Sequence, residues 1–260
     1  MAIIIKNEDE INKIRVAGKI LAEAHKLVAD NIQPGVTTSK LDKIVEKYIR
    51  SKGAVPSFKG YPSFDGTSKF PASICASINN EVIHGIPNNL KLNDGDILSV
   101  DIGVYLNGFH ADAARTLKVG KVSEEISRLV DVTQQSFFEG IKHAKPGKHL
   151  NEIGAAIQEY VEENGFSVVR DFVGHGVGRD LHEDPQIPHY KQPGRGPVLK
   201  KGMVLAIEPM VNEGSFEVEF GDDDWTIVTR DGLCSAHYEN TIVITDDEPE
   251  ILTIISDENE

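Results

Sequence analysis

One helical pattern occurs twice at a fixed offset, and that repeat constrains the fold more than any other feature. From Asn7 to Asn31, apolar residues recur at helical spacing (Ile11, Ile14, Ala17, Leu21, Ala24, Val28). Pro34-Gly35 breaks this helix. A second follows with Leu41, Ile44, Val45, Tyr48 and Ile49 inward, Ser39 as its expected cap and Gly53 as its stop. The pattern then returns: Ser123 to His143 reads as a helix, Pro146-Gly147 breaks it, and Ile153, Ile157, Tyr160 and Val161 mark another that stops at Gly165. Pro34 and Pro146, Leu41 and Ile153, Tyr48 and Tyr160, Ile49 and Val161, and Gly53 and Gly165 all differ by 112 positions. Each helix pair precedes a strand-rich segment, so the chain reads as two related halves, 1–120 and 121–250, with an acidic tail over 251–260. Helices followed by strands in each half favour α+β over a wound parallel sheet. No Ser/Gly-rich linker divides the halves, so a single domain over 1–260, with a cleft between its halves, is expected.

Composition removes several function classes. A formal net charge of −14 leaves little room for the clustered Lys and Arg of a nucleic-acid-binding face. Cys75 and Cys234 are too few for a disulfide framework, which points to a reducing compartment. The opening MAIIIKNEDE has no basic stretch followed by an apolar core, and no apolar run approaches membrane-spanning length. A cytoplasmic chain without nucleic-acid or membrane partners, and monomeric, is the expectation.

The clearest local structure is a hairpin between Gly95 and Gly120. Asp96 to Tyr105 alternates as a strand, Asn107-Gly108 is a strong two-residue turn signal, and Phe109 to Val119 returns. Counting back from that turn places Asp112 opposite Gly103, and Asp101 shares a face with Gly103 because side chains alternate with period two. Asp101 and Asp112 therefore project as diagonal neighbours on one face of an apolar hairpin. Asp is depleted in strands and costly to bury alone, so the pair suggests a cation between the two carboxylates.

Three more residues extend the constellation. His175 lies in the glycine-rich run Gly174-His175-Gly176-Val177-Gly178, seven residues before His182, where glycines permit close backbone approach to a ligand. Glu208 ends the apolar run Met203 to Ile207, and Glu239 precedes the β-rich Thr241 to Thr245, neither with an obvious basic partner in its segment. Four carboxylates and one imidazole balance two divalent cations, and hard oxygen ligands with one imidazole suit Mn, Fe, Co or Zn.

These residues carry a resemblance. The run Phe172 to His182, continuing through Pro185 and Ile187 to His189-Tyr190, resembles the signature of type I methionine aminopeptidases, and Asp101, Asp112, His175, Glu208 and Glu239 occur in the order of that family's five metal ligands. Glu81 to Pro87 looks like the segment holding its first substrate-contacting histidine, here His84. The resemblance implies the pita-bread fold and a dinuclear-metal aminopeptidase that removes N-terminal methionine from nascent proteins whose second residue is small. It assigns Asp101 to one metal, Asp112 and Glu239 to both, and His175 with Glu208 to the other. It also makes Glu208 the general base on a bridging water, with His182 and His84 assisting. Phe58, Tyr61, Cys75, Leu181 and Trp225 would surround the methionine side chain, with either Tyr61 or Phe70 at the aromatic position, since Pro62 to Phe70 is longer than usual there. Only 25 residues separate His182 from Glu208, which leaves no space for the helical insertion of type II enzymes. Nascent chains, met near the ribosome, would be the partners. The alternatives are an X-Pro-specific relative of the same fold, such as prolidase or aminopeptidase P, and a non-catalytic binding homologue.

Overall fold

The structure is a computed structural model that describes residues 2–63 and 66–254. Helices α1 (Glu8–Asn31) and α2 (Thr38–Ser51) open the chain and are followed by strands β1 (Val55–Pro56), β2 (Ile74–Ile78), β3 (Glu81–Ile83), β4 (Ile97–Leu106) and β5 (Phe109–Lys118). Helices α3 (Glu124–Ile141) and α4 (Leu150–Glu163) begin the second series. Strands β6 (Ser167–Val168), β7 (Gly174–Gly176), β8 (Glu183–Ile187), β9 (Val204–Ile207) and β10 (Met210–Asn212) come next. Then follow β11 (Val218–Phe220), β12 (Ile227–Thr229), β13 (Ser235–His237), β14 (Asn240–Val243) and β15 (Glu250–Ile251).

The repeat read from sequence reaches into the caps. Helices α2 and α4 are both 14 residues long, and Gly53 (φ 74°) and Gly165 (φ 81°) follow them in the left-handed region that glycine reaches without cost. The cap of α2 differs from expectation. Thr37, not Ser39, accepts the Lys40 N–H, while the Ser39 hydroxyl donates to Asn89. Both residue types cap helices, and the helix takes the earlier one because its apolar face begins at Thr38, which is fully buried. The acidic tail also starts later than position 251. Ile251 pairs with Ile242, Leu252 and Thr253 are buried, and residues 255–260 lie outside the described residues.

Two apolar cores sit one under each helix pair. The first joins Ile14, Leu21, Leu41 and Ile49 to Val100, Ile102 and Val104 of β4. The second joins Leu129, Phe137, Ile153 and Ile157 to Leu205 and Ile207 of β9 and Ile242 of β14. The hairpin β4–β5 has the register read from its turn: Gly103 faces Asp112, and Asn107 (φ 52°) and Gly108 (φ 86°) form the turn. In the five-stranded sheet the order is β15-β14-β9-β7-β8. The two sheets meet where β5 runs beside β14. There the Glu239 N–H donates to Ala114 O (2.9 Å), and the Thr241 hydroxyl accepts from the Asp112 N–H (2.9 Å) and donates to Asp112 O (2.8 Å).

Lys6, only 5% exposed, forms a buried ion pair with Glu183 just before α1. The same carboxylate accepts the Arg179 N–H (2.8 Å), so the amino-terminal segment and the 178–183 turn share one anchor. Among the described residues, no helix is long and apolar enough to cross a membrane.

Candidate metal centre

The seam between the sheets gathers the carboxylates. Asp112 comes from β5, His175 from β7, Glu208 from the end of β9 and Glu239 from the turn before β14. Donor atoms of Asp112, His175 and Glu239 all lie within 4.8 Å of one another. His175 Nε2 is 3.5 Å from Glu208 Oε1 and 3.9 Å from Asp112 Oδ2. Asp101 approaches from β4, where its charge interacts with those of Asp112 and Glu208. The hairpin accounts for two members of this cluster. The other three arrive because β14, laid beside β5, brings β9 and β7 with it in the five-stranded sheet.

Protonation follows from burial. Burial pushes the Asp112 carboxyl up to about 7. It also holds Asp101, Glu208 and Glu239 well above the ordinary carboxylate range, with the Asp112 charge adding to each. His175 is lowered to about 3 by burial, so its imidazole is neutral. Its Nδ1 lies 2.9 Å from the Gly176 carbonyl, which acts as acceptor, so the proton sits there and the Nε2 lone pair points at the carboxylates. Asp101 Oδ1, Asp112 Oδ1 and Glu239 Oε1 are buried with no hydrogen-bond partner among the described residues. Buried acceptors in such number are stable when they surround a cation, and oxygen donors with one imidazole fit a divalent transition metal.

Beside the cluster lies a group of apolar side chains, including the ones the resemblance assigns to the side-chain pocket. Phe58, Phe70, Ala72, Cys75 and Leu181 are buried together, with Tyr61, Ile86 and Trp225 packed against them. The Phe70 ring lies 5.2 Å from that of Trp225. Tyr61 turns instead to His182, its hydroxyl 2.6 Å from Nδ1. Phe64 and Asp65, within the Pro62 to Phe70 stretch, lie outside the described residues. Cys75 is the register partner of Asp101, so the pocket floor and the metal cluster occupy adjacent strands. Burial raises the Cys75 thiol, which is therefore a small apolar wall and no nucleophile.

Two more imidazoles face this space. The His182 ring is open to the cleft, 4.3 Å from that of His175. His84 sits at φ 59°, an uncommon conformation for a residue with a side chain, and its ring lies 6.0 Å from Phe172. Burial lowers His84 to about 4 and His182 below its ordinary value. Sequence reasoning missed Phe172 as a neighbour of His84, and His189 and His237 as neighbours of Glu208. Of the three, Phe172 and His189 lay in the run that carries the family resemblance, and His237 did not.

A buried, oxygen-rich cation site next to a side-chain pocket defines a metal-dependent peptidase. The model of metallopeptidase family M24 matches residues 12–246. A methionine aminopeptidase of Clostridium perfringens is 57% identical over 253 residues, 97% of this chain and 99% of its own. The crystal structure of a methionine aminopeptidase from Thermotoga maritima superposes with a TM-score of 0.93 at 46% identity, covering 98% of this chain and 100% of that one. A prolidase from Pyrococcus furiosus shares the fold with a TM-score of 0.78 at 25% identity, and the match spans 97% of this chain but only 66% of the prolidase. The chain belongs to metallopeptidase family M24, among its type I methionine aminopeptidases, and has the pita-bread fold. It is a metallo-exopeptidase that binds divalent metal.

Proposed function

We propose that this enzyme removes the amino-terminal methionine from new chains whose second residue is small, in the cytoplasm, as a monomer. The observation that carries the reading is the adjacency of Cys75 and Asp101. An unbranched apolar side chain in the pocket places its own α-amine and first peptide bond at the carboxylate cluster. The relative from Clostridium perfringens supports the choice of methionine.

In this reading Asp101, Asp112, His175, Glu208 and Glu239 would together hold two divalent cations, as the resemblance implies. Two divalent cations bound there supply the charge that keeps four buried carboxylates ionised, acidify water toward neutrality and polarise the scissile carbonyl. Glu208 takes a proton from the attacking water as its oxygen adds to the carbonyl carbon. It returns that proton to the leaving amine when the C–N bond breaks. The His182 Nε2–H donates to the carbonyl oxygen as negative charge develops on it. The Tyr61 hydroxyl lies 2.6 Å from His182 Nδ1, and in this reading it donates there, which leaves the imidazole proton on Nε2. His84 contacts the scissile amide.

Tyr61→Phe keeps the ring and removes the donor. The expected loss in kcat is roughly tenfold, about the worth of one hydrogen bond, with little change in KM. Steady-state kinetics on Met-Ala-Ser check it, and an unchanged kcat would remove Tyr61 from the mechanism. The function itself is tested by stripping the protein of metal and titrating it anaerobically with Mn, Fe, Co and Zn. Substrates are Met-Ala-Ser, Met-Leu-Ser, Ala-Ala-Ser and an X-Pro dipeptide. Metal-dependent release of methionine from Met-Ala-Ser alone is expected, whereas cleavage of the X-Pro dipeptide alone would transfer the assignment to a prolidase-like activity.

A further inference from the structure

The proposed chemistry gives no task to His189, the last histidine of the 172–190 run. Its side chain is completely buried. Strand β9 ends at Ile207, whose partner in the ladder is Asn240, and Pro209 follows. The Glu208 N–H is thus the first donor beyond the sheet, in a place where an unpaired buried N–H is costly. His189 Nε2 receives it at 3.1 Å. We infer that His189 is a positioning residue for Glu208, its Nε2 accepting the Glu208 backbone N–H and fixing the point from which that carboxylate enters the metal cluster.

Two features hold the imidazole in this role. A side chain on Gly174 would place its Cβ 3.1 Å from His189 Nε2 and 2.4 Å from Ala206 O, so the bare backbone of β7 provides the space through which the ring reaches Glu208. On the far side, α4 clamps the 188–190 backbone, because a Cβ on Gly154 would meet Pro188 O at 2.0 Å and Tyr190 N at 3.0 Å. Accepting at Nε2 requires the proton on Nδ1. Beyond the carboxylate, His237 Nε2 lies 3.8 Å from Glu208 Oε2. Glu208 is therefore gripped at its amide by one imidazole while its carboxylate lies between two others, His175 and His237.

The inference rests on the reading of Glu208 as metal ligand and general base. It is tested with His189→Gln, whose amide oxygen replaces Nε2, and His189→Leu, which keeps bulk without an acceptor. Each full-length protein is measured for Glu208 amide exchange, Mn binding by calorimetry, melting temperature, and kcat and KM on Met-Ala-Ser. His189→Leu is expected to expose the Glu208 amide to exchange and to lose roughly 10–100-fold in Mn affinity or kcat with KM nearly constant, while His189→Gln recovers most of both. Equal losses in the two variants, in step with equal falls in melting temperature, would reduce His189 to a packing residue and overturn the inference. A His189→Leu protein with parental kcat and Mn affinity would do the same. If the Leu protein does not fold, His189→Asn replaces it: its shorter amide falls short of Glu208, and rescue by Asn as good as by Gln refutes the assignment. A parent protein that hydrolyses nothing removes the reading of Glu208 and leaves the exchange contrast to decide the positioning.

Discussion

Replacing Glu208 with glutamine is expected to lower kcat on Met-Ala-Ser by roughly 10²–10⁴-fold, the range for loss of a positioned general base. Glutamine preserves volume and one coordinating oxygen but cannot accept the proton of the attacking water. The fold should survive, since Glu208 lies past the end of β9 and its N–H still meets His189. Stability in the metal-free protein should even rise at neutral pH and above, because burial and the Asp112 charge oppose ionisation of this carboxyl. Kinetics, metal content and thermal melts on one preparation check all three statements. Full hydrolytic activity in the variant would refute the assigned base.

The second large effect concerns pH and metal together. His25, His175, His189 and His237 are lowered to about 3 by burial, and His84 and His110 to about 4. In the unfolded chain each titrates near about 6.5. Below that value the unfolded state takes up protons that the folded state refuses, so stability falls as pH drops from about 6.5 toward 4. The four carboxyls act in the opposite sense. Asp112, raised to about 7, and Asp101, Glu208 and Glu239, held well above the usual range, keep protons that the unfolded chain releases near about 4. Their contribution is lost as pH rises from about 4 through their folded values. Six imidazoles outweigh four carboxyls on the acid side, and above about 6.5 only the carboxyls act. Metal-free protein is therefore expected to melt highest near pH 6.5 and lower at both pH 5 and pH 8.5. Mn should abolish the alkaline fall, because cations bind the deprotonated carboxylates. Melts of chelator-treated protein at the three pH values, with and without Mn, decide it. A metal-free melting temperature that keeps climbing to pH 8.5 would show that these carboxyls are not held protonated.

What the sequence disclosed tracks the range over which its signals act. The β4–β5 register was legible because Asn107-Gly108 fixes a turn and strand period two does the rest, so Asp101 and Asp112 were placed by local rules. The helix pairs were legible because caps and breakers repeat at one spacing. The convergence of Glu239 on Asp112 was not readable from the residues themselves, since it depends on β14 lying beside β5 through Thr241 and Ala114, contacts without a local signature. There the resemblance to a known family supplied the order of the five residues. The hydrogen bond of Tyr61 to His182 escaped notice because an aromatic next to an apolar pocket reads as wall. Ser39 is not the cap because Thr37, Thr38 and Ser39 are all capping residue types, and burial of Thr38 decides among them.

The ion pair between Lys6 and Glu183 also orders events in time. Lys6 is synthesised 177 positions before its partner. Until that partner exists, the ammonium group has no reason to leave water, and α1 lacks the surface that Leu252 gives Gly18. The first core likewise borrows Val177, Val204 and Val243 from the far half. A growing chain thus holds its amino-terminal half unsealed until the carboxy-terminal half arrives, and the turn carrying His182 is set in the same closing step. An enzyme whose proposed substrates are unfinished chains is assembled only after the far half of its own chain has been made.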